Sequence, residues 1–154
     1  MKQTNVQGLW DIFLDAYPEF FNEPLPKSGY FGDNRKDADQ LAKLIAKGTK
    51  KAASHSLLGL QKRNESIPKI GDFFVVTDWE KHAKCIIRTS SVRLIPFFAI
   101  TDEHALLEGE GNKSLNYWRK VHWDYYTREL AEFDKYPLES MIIVFEEFEV
   151  VFKP

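Results

Sequence analysis

The sequence predicts an α+β fold, and three observations carry that reading. An apolar stripe of helical period runs from Val6 to Tyr17. Two β-branched and aromatic runs follow Gly71, and helices interrupt the strands too unevenly for a regular βαβ array. The 154 residues are 44% apolar and 29% charged, the mixture of one soluble globular domain spanning residues 1–154. With 12 Phe, 6 Tyr and 4 Trp, even a chain this short can bury a substantial core.

The elements follow in order. Val6, Leu9, Trp10, Phe13, Leu14 and Tyr17 form one face of a helix over about 5–17, with Asn5 as N-cap and Pro18 as stop. Residues 20–32 hold Pro24, Pro26, Gly29 and Gly32 and read as a structured loop carrying its own rings. A second helix is expected from Asp37 to Lys47, acids first and lysines last, with Gly48 ending it. Phe73–Thr77 and Cys85–Thr89 read as a hairpin whose second strand continues to Pro96. A short helix is expected over Thr101–Leu107. A longer one follows Ser114, with Leu115, Trp118, His122, Tyr125 and Phe133 near helical spacing, and Met141–Phe152 reads as the last strand.

Several function classes are excluded. A single cysteine, Cys85, rules out an internal disulfide framework and a cysteine-rich zinc site. The four histidines have no paired spacing, so neither a metal nor a cofactor is expected. No apolar run reaches the ~20 residues a membrane helix needs, so no membrane partner is expected and the cytoplasm is the expected compartment. Nothing in the pattern sets an oligomeric state.

The net charge of −2 conceals a segregation. Residues 35–69 carry nine basic side chains against three acids, a balance of +6, and residues 129–151 carry seven acids against Lys135. Such asymmetry points to an anionic ligand at the basic stretch, although solvated faces also carry runs of one sign.

Two glycine-bearing segments have the residue types for chemistry. Gly48-Thr49-Lys50-Lys51-Ala52-Ala53-Ser54-His55 pairs small residues, which let a ligand approach, with lysines suited to phosphate. Glu108-Gly109-Glu110-Gly111-Asn112-Lys113-Ser114 sets two carboxylates before a helix N-terminus, suited to a base edge or to proton transfer. Read structurally, the first is a helix C-cap and the second a solvated loop. His122, on the aromatic face of the long helix, reads first as a hydrogen-bonded core or cleft-edge residue.

In order along the chain stand Phe31-Gly32-Asp33, Gly48-Thr49-Lys50, Pro68-Lys69-Ile70-Gly71-Asp72 and Cys85-Ile86-Ile87-Arg88-Thr89. Pro96-Phe97, His104-Ala105 with Glu108-Gly109-Glu110-Gly111, and Ser114-Leu115 with Tyr117-Trp118-Arg119 and His122 follow. This ordered set, from about Tyr30 to Phe152, resembles the ASCH domain family in its YhfF-like bacterial branch. The resemblance implies a PUA-like mixed β-barrel with flanking helices, RNA binding, and in some members ribonuclease activity. A branch of very small members hydrolyses N4-acylated cytidines with a Gly-x-Lys-x-x-Thr pattern and a glutamate after a His-Ala pair. Lys50 and Glu108 fall on two of those positions, but Ala53 stands at the threonine, with Ser54 one residue later.

The leading expectation is a cleft for RNA or a nucleotide-like ligand. In it Lys50 and Lys51 meet phosphate beside Gly48, Tyr30 or Trp118 stacks a base, and Glu108 or Glu110 reads an amino edge. Ser114 offers its hydroxyl or its helix-terminal amide. The alternative is a small amidohydrolase acting on an N-acylated nucleoside. There Lys50, with a depressed pKa, acts as base on Ser54 or on water, and Glu108 relays the proton. An adaptor with an aromatic docking surface is a third expectation.

Overall fold

A computed structural model describes residues 4–154. Among the described residues the fold is α+β and PUA-like, with five α-helices and a mixed five-stranded sheet. The helices are α1 (Val6–Ala16), α2 (Arg35–Lys47), α3 (Leu57–Lys62), α4 (Asp102–Glu108) and α5 (Leu115–Ala131). The strands are β1 (Lys27–Gly29), β2 (Ala52–Ser56), β3 (Phe73–Thr77), β4 (Ala83–Pro96) and β5 (Ile142–Phe152), in the sheet order β1-β3-β4-β5-β2. β1 runs parallel to β3, whereas β3–β4 and β2–β5 are antiparallel. Among the described residues no helix is long and apolar enough to cross a membrane.

The chain divides into two compact units. The first contains α1, β1, α2, β3, the Ala83–Arg88 part of β4 and the end of β5 from Glu149. Asn5 caps α1 by accepting from the Gly8 amide, and the predicted stripe buries Leu9, Trp10 and Phe13. The Phe13 ring lies 5.2 Å from Trp10, 5.6 Å from Phe20 and 5.5 Å from Phe73, which gives this unit an aromatic core. α2 begins two residues earlier than its acids suggested, because Asn34 accepts from the Asp37 amide and caps it.

The second unit spans Thr49–Ile70 and Thr89–Phe148. Its core sets Ala52, Ile143 and Phe145 of the sheet against Ala105 of α4 and Trp118, Tyr126 and Leu130 of α5. α4 is closed at its start by the Thr101 amide donating to His104 Nδ1, and α5 by Ser114 Oγ accepting from the Tyr117 amide. α5 ends at Ala131, so Phe133 falls in the turn beyond it and not on the helix.

Two strands depart from the sequence reading. The stretch 48–55 reads as a glycine–lysine turn capping the second helix, and Gly48 does cap it, but β2 then begins at Ala52 and pairs along β5 from Glu147 to Ile143. Its small residues lack the β-branched signal, and the pairing decides the conformation. The loop over 20–32 contains β1, three residues paired with Phe74–Val76.

Candidate functional site

The two glycine segments meet inside the second unit. α4 ends at Glu108, and Gly109 follows in the left-handed region at φ 66°. A Cβ on Gly109 would stand 2.2 Å from the Thr49 carbonyl oxygen, so only glycine allows this approach. The Lys51 amide donates to the Leu107 carbonyl at 2.8 Å and fixes the register of the two segments. On the other side of Lys51, its carbonyl accepts from the Phe148 amide.

Lys50 is thereby buried, 2% exposed, with its Nζ 2.9 Å from Glu108 Oε1 and 2.7 Å from Glu110 Oε2. Glu108, 1% exposed, is the hub of the cluster. Its Oε2 accepts from Ser54 Oγ at 2.5 Å and from Trp118 Nε1 at 2.5 Å. His122 Nε2 lies 3.4 Å from Oε1. The Trp118 carbonyl only accepts, so the His122 Nδ1 that meets it at 2.9 Å carries a hydrogen, and Nε2 is the nitrogen turned to Glu108. The Tyr126 hydroxyl donates to the Ser54 carbonyl at 3.0 Å. Trp118, His122 and Tyr126 thus form a polar-aromatic row at i, i+4 and i+8 of α5.

The electrostatics follow from burial and pairing. Burial works against the Lys50 ammonium, but Glu108 and then Glu110 outweigh it and hold its pKa above the ordinary lysine value. Burial likewise opposes the Glu108 carboxylate, yet Lys50 and His122 hold it well below the usual range. For His122 burial favours the neutral ring, and the Glu108 charge reverses this and raises its pKa. Burial first, and then Glu108, pushes the Tyr126 phenol well above its ordinary value. Lys50 therefore lacks the depressed pKa expected of a general base and stands as a fixed positive charge.

Ala53 and Ser54 are separated by strand alternation. Ala53 registers with Glu146, and Ser54 with Phe145, so the two side chains leave opposite faces of the sheet. The hydroxyl that reaches Glu108 is that of Ser54. On the Ala53 face, Glu146 accepts from Thr89 Oγ1 at 2.6 Å and meets His55 Nε2 at 2.8 Å, a network that sequence spacing did not suggest.

The other expected residues are placed as follows. Lys51 is exposed. Gly48 is the left-handed stop of α2, at φ 80°. The Ser114 hydroxyl is used as the α5 cap. Trp118 is 2% exposed, its ring stacked on His122 at 4.2 Å and 17°, so it offers no open face to a base. Tyr30 lies in the first unit with its ring 4.7 Å from Trp79, and it is not among the residues that converge on Lys50. Glu108, Glu110 and His122 bring three ligand-type atoms within 4.8 Å, but the Lys50 ammonium bonds both carboxylates and already supplies the positive charge.

The sequence model of the ASCH domain matches residues 27–152. Among solved structures, the chain is similar to an ASCH domain from Lactobacillus crispatus JV V101, with 30% identity, TM-score 0.89, and 95% of this chain and 93% of that one covered. It is also similar to protein EF3133 from Enterococcus faecalis V583, with 30% identity, TM-score 0.88, and 96% and 88% covered. Comparison with curated proteins yields no match.

Proposed function

This chain belongs to the ASCH domain family, and on that premise we propose that its second unit binds RNA or a nucleotide-like ligand at the Lys50–Glu108–Glu110–Ser54 site. The observation that carries the reading is the convergence of these four side chains from two segments far apart in sequence. Burying three ionisable groups, Lys50, Glu108 and His122, is a poor way to gain stability, and such clusters concentrate at functional sites. Glu110 and Ser54 remain partly exposed at its edge, whereas Lys50 is spent on carboxylates. Contact with phosphate therefore falls to the exposed Lys51. A cytoplasmic location belongs to the same reading.

Titration with short single-stranded RNA across a range of salt tests it. Binding is expected to weaken as salt rises, because phosphate contacts release counterions. Lys51→Glu is expected to weaken binding and flatten the salt dependence. Absence of binding at low salt would overturn the reading.

One contact favours a second reading, hydrolysis of an N-acylated nucleoside: the 2.5 Å hydrogen bond from Ser54 Oγ to Glu108 Oε2. Ser54 Oγ would attack the acyl carbon, its proton passing to Glu108 and then to the departing nitrogen, and water would release the acyl group from Ser54. Lys50 would serve as a fixed charge holding Glu108 in place. Turnover of acylated nucleosides that disappears in Ser54→Ala supports this reading, and no turnover removes it.

A further inference from the structure

We infer that Glu110 is the residue that selects the ligand at this site, and that it selects a nucleobase carrying an exocyclic amino group; this rests on the nucleotide-binding reading above. The two carboxylates differ in the hydrogen-bond capacity they leave for a ligand. A carboxylate offers about four acceptor positions and no donor when ionised. Three donors of the protein meet Glu108, Lys50 Nζ at Oε1 and Ser54 Oγ and Trp118 Nε1 at Oε2, and His122 Nε2 stands 3.4 Å from Oε1. The side chain is 1% exposed behind these neighbours, so Glu108 has nothing left for a ligand.

Glu110 differs on each count. Among the described residues the one hydrogen bond to its carboxylate is from Lys50 to Oε2, its side chain is 15% exposed, and Oε1 is left to accept. The loop that carries it is fixed on both sides. Gly109 closes on Thr49, and a Cβ on Gly111 would stand 2.4 Å from the Tyr117 ring, so the backbone around Glu110 rests against two neighbours. Ser54 adds to the same preference. Its hydroxyl hydrogen is committed to Glu108, so toward a ligand its oxygen can only accept.

The exposed edge thus offers acceptors, on a carboxylate held in place by a buried ammonium. Such an edge takes N–H donors and repels phosphate oxygens. In a nucleotide, the group that supplies a projecting pair of N–H donors is the exocyclic amine of cytosine, adenine or guanine. The base edge therefore faces Glu110, and phosphate lies away from it.

Calorimetric titration with nucleosides that differ only in that amine tests the assignment. The pairs are cytidine against pyrimidin-2-one riboside, and adenosine against purine riboside. The wild-type protein is expected to bind the amino member of at least one pair about tenfold more tightly. Glu110→Gln, whose amide offers a donor as well as an acceptor, is expected to shrink that gap to about threefold or less, with a native melting transition kept as the control for folding. Equal binding within both wild-type pairs would overturn the assignment while leaving nucleotide binding intact, and it does so whether or not the variant folds. A gap that survives in folded Glu110→Gln would likewise remove Glu110 as the selector. If neither the nucleosides nor single-stranded RNA bind at all, the functional reading falls and the assignment falls with it.

Discussion

The two units use opposite materials. The first is organised around rings: Trp10, Phe13, Phe20 and Phe73 meet at 5.2 to 5.6 Å, and its Arg35–Glu80 ion pair lies at the surface. The second also has an apolar core, but it buries Lys50, Glu108 and His122 beside it. Aromatic burial lowers free energy without asking for one chemistry at one place. A buried ion network costs desolvation and returns it only when nearly every donor and acceptor is matched. α5 isolates the variable that matters. Its Lys120–Asp124 pair, at 3.2 Å, has nearly the separation of Lys50–Glu108 at 2.9 Å, but it is open to water. Burial, not ion pairing, distinguishes the site.

The largest expected effect comes from removing the buried cation. Lys50→Met keeps most of the side-chain volume but leaves the Glu108 charge buried without its closest counter-ion, and should lower unfolding free energy by about 3–5 kcal/mol. Urea denaturation measures it. A loss below about 1 kcal/mol, the range of exposed pairs, would erase the contrast between the units.

A smaller effect is expected from the first unit. Phe13→Leu removes ring contacts and leaves a small cavity, for a loss of about 1–2 kcal/mol. Affinity for single-stranded RNA is expected to stay at the wild-type level. Weakened binding in a folded Phe13→Leu protein would mean that the aromatic unit does more than support the fold.

The same contrast decides which parts of the molecule are legible in the sequence. The aromatic unit was legible because a helical stripe and two β-branched runs write their burial into the spacing, as Leu9, Trp10 and Phe13 show. β1 and β2 were not, because Lys27-Ser28-Gly29 and Ala52-Ala53-Ser54-His55-Ser56 carry little strand propensity and are strands through their partners. At the site, Lys50, Ser54, Glu108 and Glu110 stood out by residue type beside glycines. The α5 row did not, since helical spacing fits Tyr125 nearly as well as Tyr126, and packing chooses the second. Between Tyr30 and Trp118 as the stacking ring the sequence cannot choose, because composition shows a ring, whereas only packing shows that the Trp118 face is covered by His122 and its N–H taken by Glu108. Whether Ala53 or Ser54 met the glutamate depended on which face each residue of β2 takes, and the pairing with β5 sets that.

The smallest expected effect is in the pH dependence, and it tests whether His122 belongs to the charge network or only fills space. The groups facing it are Glu108 and Glu110 at the end of α4, Lys50 before β2, and Trp118 and Tyr126 on α5. Its pKa is raised in the folded protein, because the Glu108 charge overcomes burial. A raised folded value means that the folded state holds the proton more tightly than the unfolded chain. The resulting stabilisation is complete below the ordinary histidine value of 6.5 and is lost as pH rises through the folded value. Melting the wild-type protein and His122→Gln at steps from about pH 6 to about pH 9 should show the wild type losing stability relative to the variant. Parallel curves would mean that the ring is neutral throughout and packs as a spacer against Trp118. A wild-type curve rising relative to the variant would mean that burial outweighs Glu108, and the hub would then carry one positive partner fewer than its geometry provides.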